Sequence, residues 1–220
     1  MKTLKTCRIR GTVAAALFVA MGLSATTNAQ LITSFVNLDF DAGVANVASG
    51  FDNPGADIPG WRDYTAMTDS GVEGPGAWWG PYDQYAAWMK SGEAAYNLSD
   101  YTIQAGDAFS IAFMAQWWQW TGANGQWTAT LFYDNPANVI GSYTTPDLNP
   151  HTQWTAYTTA TPIAATAGSV GGKLGILMAS TGSGIAQVDE ITVAIPEPAT
   201  ISLVAVAGLG LLLRRRQPVK

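Results

Sequence analysis

Alternating side chains in the middle of the chain restrict its fold more than any other feature. Between residues 109 and 117 every second residue is apolar or aromatic: Phe109, Ile111, Phe113, Ala115 and Trp117. Successive side chains of a β-strand point to opposite faces, so these five would share one face of a sheet. Residues 127–133 alternate in the same way and end at a turn sequence, residues 134–136. The pattern predicts strands that are buried on one face.

Further segments with strand-like composition are separated by turns rich in glycine, proline and asparagine. They are residues 34–40, 93–98, 139–144, 152–159, 173–179 and 187–193. Many short strands joined by such turns, with few helix-forming stretches, are typical of a β-sandwich. We therefore predict an all-β sandwich body over residues 30–193. A body of this size buries a full core without cross-links, and the only cysteine of the chain, Cys7, precedes it.

Residues 1–29 have the three parts of a secretory signal peptide. Basic residues within the first ten positions precede an apolar run from Val13 to Leu23, and Thr27-Asn28-Ala29 is a small-x-small cleavage site. The apolar run is short for a bilayer span. The sequence therefore predicts an exported protein, with an uncleaved membrane anchor as the alternative.

Residues 194–220 contain a second set of targeting features. In order, these are Pro196, Glu197 and Pro198, an apolar stretch over residues 199–213, and Arg214, Arg215 and Arg216. The prolines keep the glutamate in an extended segment. The apolar stretch predicts a single helix of about 22 Å, shorter than the hydrocarbon core of a bilayer. The arginines would remain on the cytoplasmic side.

This order of features resembles the PEP-CTERM sorting signal. The resemblance covers residues 194–220 and implies processing by an exosortase, a membrane cysteine transpeptidase of Gram-negative bacteria. It also implies transient anchoring in the inner membrane by the C-terminal transmembrane helix, followed by release to the cell surface or the outside. The family is associated with species that produce exopolysaccharide and form biofilms. The alternative is an ordinary tail anchor that happens to contain a Pro-Glu-Pro triplet.

The charge of the body excludes nucleic acid as its partner. Of the 11 basic residues, only Arg62, Lys90 and Lys173 lie in the body. The body also contains 15 acidic residues, so its net charge is −12. Binding of phosphate groups needs lysine and arginine side chains. Such an acidic surface suits an extracellular protein or one that binds divalent cations.

Adjacent tryptophans indicate exposed aromatic rings. Alternation in a strand cannot bury both members of a pair such as Trp117-Trp118, and Trp78-Trp79 lies in a loop rich in glycine and proline. An exposed indole offers a flat, amphipathic surface on which the C–H face of a sugar ring stacks. The candidate carbohydrate-binding residues are Trp78, Trp79, Trp117, Trp118 and Trp120. The alternative is that these rings pack beneath loops.

Segments at the two ends of the body resemble the galactose-binding-like jelly rolls of carbohydrate-binding modules. Residues 37–41, Gly60-Trp61 and residues 188–193 are similar to the first strand, the following Gly-Trp and the last strand of those modules. The resemblance implies a jelly-roll β-sandwich with a structural Ca²⁺ where the first and last strands meet. The oxygen donors that match are Asp39, Asp41, Asp189 and Glu190.

The position of Asp189 in the predicted last strand indicates that its carboxylate is buried. If Ile191 and Val193 face the core, a period of two places Asp189 on the same face. A buried carboxylate needs a partner, and basic residues are scarce. That partner would be a cation or a set of backbone N–H groups.

Residues suited to catalysis are few. The chain has one histidine, His151, and the body has no cysteine, so the common zinc and copper sites are excluded. No nucleophile motif and no distinctive carboxylate pair are present. We therefore predict a non-catalytic exported protein that associates with extracellular polysaccharide, with the exosortase and the membrane as further partners. The alternatives are a structural surface or biofilm protein that binds no glycan, and a glycan-active hydrolase.

Overall fold

A computed structural model describes residues 29–42, 51, 58–67, 70–74, 82–118, 125–148, 153–182 and 184–196. Residues 1–28 of the predicted signal peptide and residues 197–220 of the sorting segment lie outside this part of the chain. Trp78, Trp79 and Trp120 also lie outside it, and only the backbone of Trp118 is described. No helix long and apolar enough to cross a membrane occurs in the described ranges.

Two antiparallel sheets make up the body. The strands are β1 (Gln30–Leu31), β2 (Trp61–Asp63), β3 (Gly71–Glu73), β4 (Ala86–Lys90), β5 (Ala94–Thr102), β6 (Ala108–Trp118), β7 (Gly125–Tyr133), β8 (Asn135–Thr144), β9 (Thr155–Thr158), β10 (Ile163–Ala164), β11 (Lys173–Gly182) and β12 (Ile185–Ile195). A seven-stranded sheet has the order β10-β6-β12-β4-β3, with β1 paired to β12 and β9 paired to β6. A five-stranded sheet has the order β2-β5-β11-β7-β8. The prediction of an all-β sandwich is confirmed.

The core lies between the two sheets. The alternating residues of β6, from Phe109 to Trp117, are at most 2% exposed, and they share one apolar cluster with Trp127 and Ile176 of the other sheet. The Nε1–H of Trp127 donates a hydrogen bond of 2.9 Å to the main-chain oxygen of Gln187 in β12. This bond joins the sheets through a buried polar group that would be costly to leave unpaired.

Residues 34–40, predicted as a strand, form turns instead. Asn37 and Phe40 have positive φ angles of 57° and 60°, which a strand does not allow. The ring of Phe40 is fully buried and stacks on Trp61 with a centroid distance of 5.0 Å. The apolar side chains in this segment therefore anchor a loop rather than a strand.

Strand β12 contains a β-bulge that changes the direction of its side chains. Asp189 pairs with Met114 of β6, but Thr192 pairs with Ala112, so β12 has one residue more than its partner. The extra residue is Glu190, whose φ is 51°. Consequently Val188 and Ile191 both point into the core, although they are three positions apart, and Asp189 does not.

The prediction that Asp189 shares a face with Ile191 and Val193 is therefore wrong. Its partner Met114 lies between the core residues of β6, so the two side chains occupy the opposite face, which we call the outer face of the seven-stranded sheet. The bulge breaks the period of two on which the prediction relied.

Packing between β6 and β7 leads to a first prediction. A Cβ atom on Gly125 would lie 1.6 Å from the ring of Trp117. We expect Gly125→Ala to lower the free energy of unfolding by about 1–3 kcal/mol, because the crowded ring has to shift. Urea denaturation measures the change. Gly168→Ala is the control, since its Cβ would meet only the Tyr133 hydroxyl at 3.5 Å. Equal denaturation midpoints for both variants would contradict this packing.

Candidate functional site

A row of buried polar side chains crosses the outer face. The pairing of β6 with β12 sets Gln116 opposite Gln187. Gln116 Nε2 donates to Gln187 Oε1, and Gln187 Nε2 donates in turn to Glu73 Oε1 on β3. All three side chains are at most 5% exposed. The outer face therefore contains an ordered hydrogen-bond network, in contrast to the apolar face of the same strands.

An open cleft lies on this face where β9, β6 and β12 run side by side. Its volume is about 470 Å³, and its lining is Tyr82, Ala112, Phe113, Met114, Ala156, Tyr157, Thr158 and Glu190. Tyr82 is 48% exposed, and its ring meets Trp154 edge to face at a centroid distance of 5.9 Å. The lining of the cleft thus contains both an exposed aromatic ring, that of Tyr82, and a carboxylate, that of Glu190. We refer to this feature below as the cleft.

Five carboxylates gather beside the cleft and form what we call the carboxylate cluster. Its members are Asp39, Asp41, Asp83, Asp189 and Glu190. Partial loss of solvation raises the pKa of Glu190, although its side chain remains exposed, and the negative charges of Asp83 and Asp39 raise it further. The pKa of Asp41 rises for the same two reasons, burial and neighbouring carboxylates. Among the four predicted metal ligands, Glu190 interacts electrostatically with each of the other three, Asp39, Asp41 and Asp189.

Asp189 is the buried centre of this cluster. The side chain is 0% exposed, and its Oδ1 accepts a hydrogen bond of 2.7 Å from the backbone N–H of Glu190. Its Oδ2 has no hydrogen-bond partner. Burial raises the pKa of Asp189 to about 8, the Glu190 N–H lowers it in part, and Asp83 raises it further. A backbone amide therefore satisfies only half of this carboxylate.

Two oxygens of the cluster are of the kind that Ca²⁺ binds. Oδ2 of Asp189 and Oδ1 of Asp41 are buried oxygens without partners, and Ca²⁺ binds carboxylate oxygens. Among the described residues, however, no three Asp, Glu, His or Cys side chains converge closely enough to hold a metal ion. A Ca²⁺ ion at Asp189 would have to take further ligands from main-chain carbonyls or water.

One candidate carbohydrate-binding residue requires correction. Trp117 is 1% exposed and faces the core, so its ring has no surface on which a sugar could stack. The backbone of Trp118 pairs with Ile185 at the end of β6. The structure shows instead two aromatic residues that the sequence patterns did not indicate, Tyr82 and Trp154. Each is a single aromatic residue in a loop, which produces no periodic signal.

Comparisons with known proteins support the fold. No known family pattern matches the chain, and no curated protein sequence is similar to it. The Stig cyclase Fisc from Fischerella sp. TAU, solved with an indole compound, has a TM-score of 0.54 and 16% identity, over 77% of this chain and 100% of that chain. The arabinose-bound α-L-arabinofuranosidase MgGH51 has a TM-score of 0.50 and 14% identity, over 76% of this chain and 26% of that chain.

A carbohydrate-binding module is similar at a lower level. TmCBM61, solved in complex with beta-1,4-galactotriose, has a TM-score of 0.47 and 13% identity, over 73% of this chain and 96% of that chain. The likeness to the Stig cyclase and to MgGH51 shows a shared β-sandwich fold and does not extend to activity. The class defined by fold and site is a two-sheet β-sandwich with an open cleft beside a carboxylate cluster.

The buried carboxyl of Asp189 makes stability depend on pH. Its pKa is about 8 when folded and near its ordinary value of 3.8 when unfolded, so between these values the folded state holds a proton that the unfolded state has lost. Stability therefore falls as the pH rises through this range. In calcium-free protein we expect the melting temperature to decrease from about pH 5 to about pH 8. Circular dichroism in EDTA measures it.

A variant and a control isolate the contribution of this one carboxyl. Asp189→Asn should melt at a higher temperature than wild type at about pH 8, with a flatter pH dependence, because the amide cannot ionise. Asp100→Asn removes an exposed carboxylate from the five-stranded sheet and should retain the wild-type pH dependence. An unchanged pH dependence in Asp189→Asn would show that other groups cause it.

Proposed function

We propose that this protein is an exported, non-catalytic surface or matrix protein that binds polysaccharide in the cleft. The observation that supports this is the open cleft of about 470 Å³ with the exposed ring of Tyr82 and the carboxylate of Glu190 in its lining. An aromatic ring packs against the C–H face of a sugar, while carboxylate and hydroxyl oxygens accept or donate hydrogen bonds to its hydroxyl groups.

The cleft favours binding over hydrolysis. Glycoside hydrolases use two carboxyl groups that flank the scissile bond. Glu190 is the one carboxylate among the described residues that line the cleft. A stacked ring contributes about 1–3 kcal/mol by analogy with the stacking of bases on aromatic side chains. A few such contacts give affinities of roughly micromolar to millimolar.

The C-terminal segment would place the protein where polysaccharide is found. We propose that residues 194–220 are a PEP-CTERM sorting signal recognised by an exosortase. Strand β12 ends at Ile195, and Pro196 follows it directly. The triplet therefore begins directly after the last described strand, which is the order that a C-terminal sorting signal requires.

We also propose a structural Ca²⁺ at the carboxylate cluster. The support is the pair of buried oxygens without partners, on Asp189 and Asp41. A divalent cation would allow these carboxyl groups to ionise in a buried position. The ion would join the loop that contains Asp41 to the last strand.

Glycan binding is tested by affinity electrophoresis in gels that contain exopolysaccharide of the native host. The protein from Gln30 to Lys220, in mild detergent, should be retarded. Tyr82→Ala should weaken binding at least about fivefold, since it removes the exposed ring from the lining of the cleft. Trp154→Ala should weaken binding less, because Trp154 contacts the ring of Tyr82 but does not line the cleft. Tyr64→Ala is a matched control, because Tyr64 is 50% exposed but follows β2 in the other sheet.

Two tryptophan variants are compared in the same electrophoresis experiment. Trp79→Ala and Trp118→Ala examine the tryptophans that the sequence indicated. If the wild type is not retarded in any glycan gel, the protein is a structural surface protein that binds no glycan. Equal losses in Tyr64→Ala and Tyr82→Ala would contradict binding at the cleft.

Calcium is tested by thermal melting. We expect millimolar Ca²⁺ to raise the melting temperature relative to EDTA, because an ion that binds only the folded state stabilises it by mass action. Asp189→Asn should lose most of this increase. Equal midpoints in Ca²⁺ and EDTA for the wild type would exclude the site.

Processing of the tail is tested by mass spectrometry of protein from the surface fraction of the native host. We expect the mature chain to lack the residues that follow the Pro196-Glu197-Pro198 triplet. Glu197→Ala should leave the full-length chain in the membrane fraction, because the recognised peptide is altered. Recovery of intact Lys220 in the surface fraction would contradict the proposal.

A further inference from the structure

Negative charge is concentrated at the end of the cleft that Glu190 lines. Glu190 is exposed to solvent, and its carboxyl interacts with those of Asp83, Asp39 and Asp41. Asp83 is exposed as well and follows Tyr82 directly in the chain. A ligand in the cleft therefore meets the aromatic ring of Tyr82 and the carboxylate of Glu190. The exposed carboxylate of Asp83 lies next to that of Glu190, just outside the lining.

Basic side chains are distant from this end of the cleft in the part of the chain that the structure describes. Arg62 and Lys173 belong to β2 and β11 of the five-stranded sheet. Lys90 ends β4 opposite Ile185, four residues from Asp189 along β12, which corresponds to about 13 Å. None of the cluster carboxyls that shift in pKa does so because of a lysine or arginine.

A second, independent observation also indicates a positively charged ligand. Oδ2 of Asp189 is buried and has no hydrogen-bond partner, and Asp189 interacts with Asp83 and Glu190 at the cleft. A buried carboxylate without a partner costs free energy, and a cation nearby reduces that cost. Because Asp189 is fully buried and does not line the cleft, its oxygen favours a positive charge close to the cleft and not a direct contact with the ligand.

We infer that the cleft binds an amine-bearing polysaccharide, a polymer of partly or fully deacetylated amino sugars, with its ammonium groups beside Glu190 and Asp83. This inference rests on the proposed function, since it names the ligand class of the same cleft. An ammonium group has three hydrogen-bond donors and no acceptor, which matches carboxylate oxygens. It is also attracted to the face of an aromatic ring such as that of Tyr82.

The same charges discriminate between classes of polysaccharide. Polymers of uronic acids bring carboxylates toward carboxylates and are repelled. Neutral sugars retain the aromatic stacking but gain nothing from the charge. Ca²⁺ that binds the buried oxygens of Asp189 and Asp41, without Glu190 as a ligand, would still leave the exposed carboxylates of Glu190 and Asp83 available to an ammonium group.

Isothermal titration calorimetry of the chain from Gln30 to Lys220, in mild detergent, tests the inference with three oligosaccharides of equal length. These are a glucosamine oligomer, its N-acetylated form and an oligouronate, each in slightly acidic buffer that keeps the amine protonated. We expect the glucosamine oligomer to bind at least about tenfold more tightly than the acetylated one. The oligouronate should be the weakest ligand, and added salt should reduce the differences.

Single-residue variants show which carboxylates cause the preference for the glucosamine oligomer. Glu190→Gln and Asp83→Asn should each reduce the ratio of affinities for the glucosamine and acetylated oligomers by at least about threefold. Asp100→Asn removes the same charge from the other sheet and should preserve the ratio. Thermal melting of each variant verifies that it is folded. A ratio that falls equally in Asp100→Asn and Glu190→Gln would overturn the inference, because long-range charge would then explain the preference.

The remaining outcomes separate this inference from the proposed function. Equal affinities for the glucosamine and acetylated oligomers, or a preference for the oligouronate, would overturn the inference and leave glycan binding intact. Absence of binding to all three, and to the host exopolysaccharide, would overturn the proposed function itself. The titrations are run in EDTA and in millimolar Ca²⁺. A preference that disappears in Ca²⁺ would assign the exposed carboxylates to the metal and overturn the inference.

Discussion

Glu190 has a left-handed backbone conformation in the middle of strand β12. Residues before it and residues after it pair with β6. The φ of 51° at Glu190 costs a residue with a side chain roughly 1–2 kcal/mol. The cost is sustained because the ladder to β6 continues from Asp189 on one side and from Thr192 on the other. The inserted residue lets both Val188 and Ile191 face the core while Asp189 turns outward. The carboxylate cluster and its position beside the cleft depend on this one irregularity.

The two faces of the seven-stranded sheet have separate roles that meet in β12. Val188 and Val193 join the apolar core, whereas the side chain of Gln187 is part of the polar row on the outer face. The main-chain oxygen of Gln187 accepts the bond from Trp127 of the opposite sheet. This contact ties the register of β12 to the core. Packing between the sheets therefore holds the outer face in one arrangement, which reduces the entropy that a ligand has to overcome on binding.

Local patterns in the sequence predicted the sandwich because alternation is a property of each strand alone. The strands around Phe109 and Trp127 follow that pattern and lie where it indicated. The same reasoning failed at Asp189, because a bulge arises from the pairing of β12 with a strand more than 70 positions earlier in the chain. It also failed at residues 34–40, where Phe40 is buried by packing on Trp61 and not by membership of a sheet.

The sequence predicted the types of side chain at the candidate site, carboxylates and aromatic rings, better than it predicted which residues would supply them. Acidic residues near Asp39 and Asp189 were expected to meet, and the structure brings them into one cluster. Exposed aromatic rings were expected too, but Tyr82 and Trp154 come together only through the folding of two distant loops. No period or motif in the sequence reports such a contact.

The most direct test of a ligand-binding outer face is the mapping of amide chemical shifts on the ¹⁵N-labelled chain from Gln30 to Lys220. Oligosaccharides released from the polysaccharide of the native host are the ligand in this titration. We expect the largest changes at Met114, Ala156 and Glu190, which line the cleft on β6, β9 and β12. Changes centred on the five-stranded sheet, or no changes at saturating ligand, would contradict this expectation.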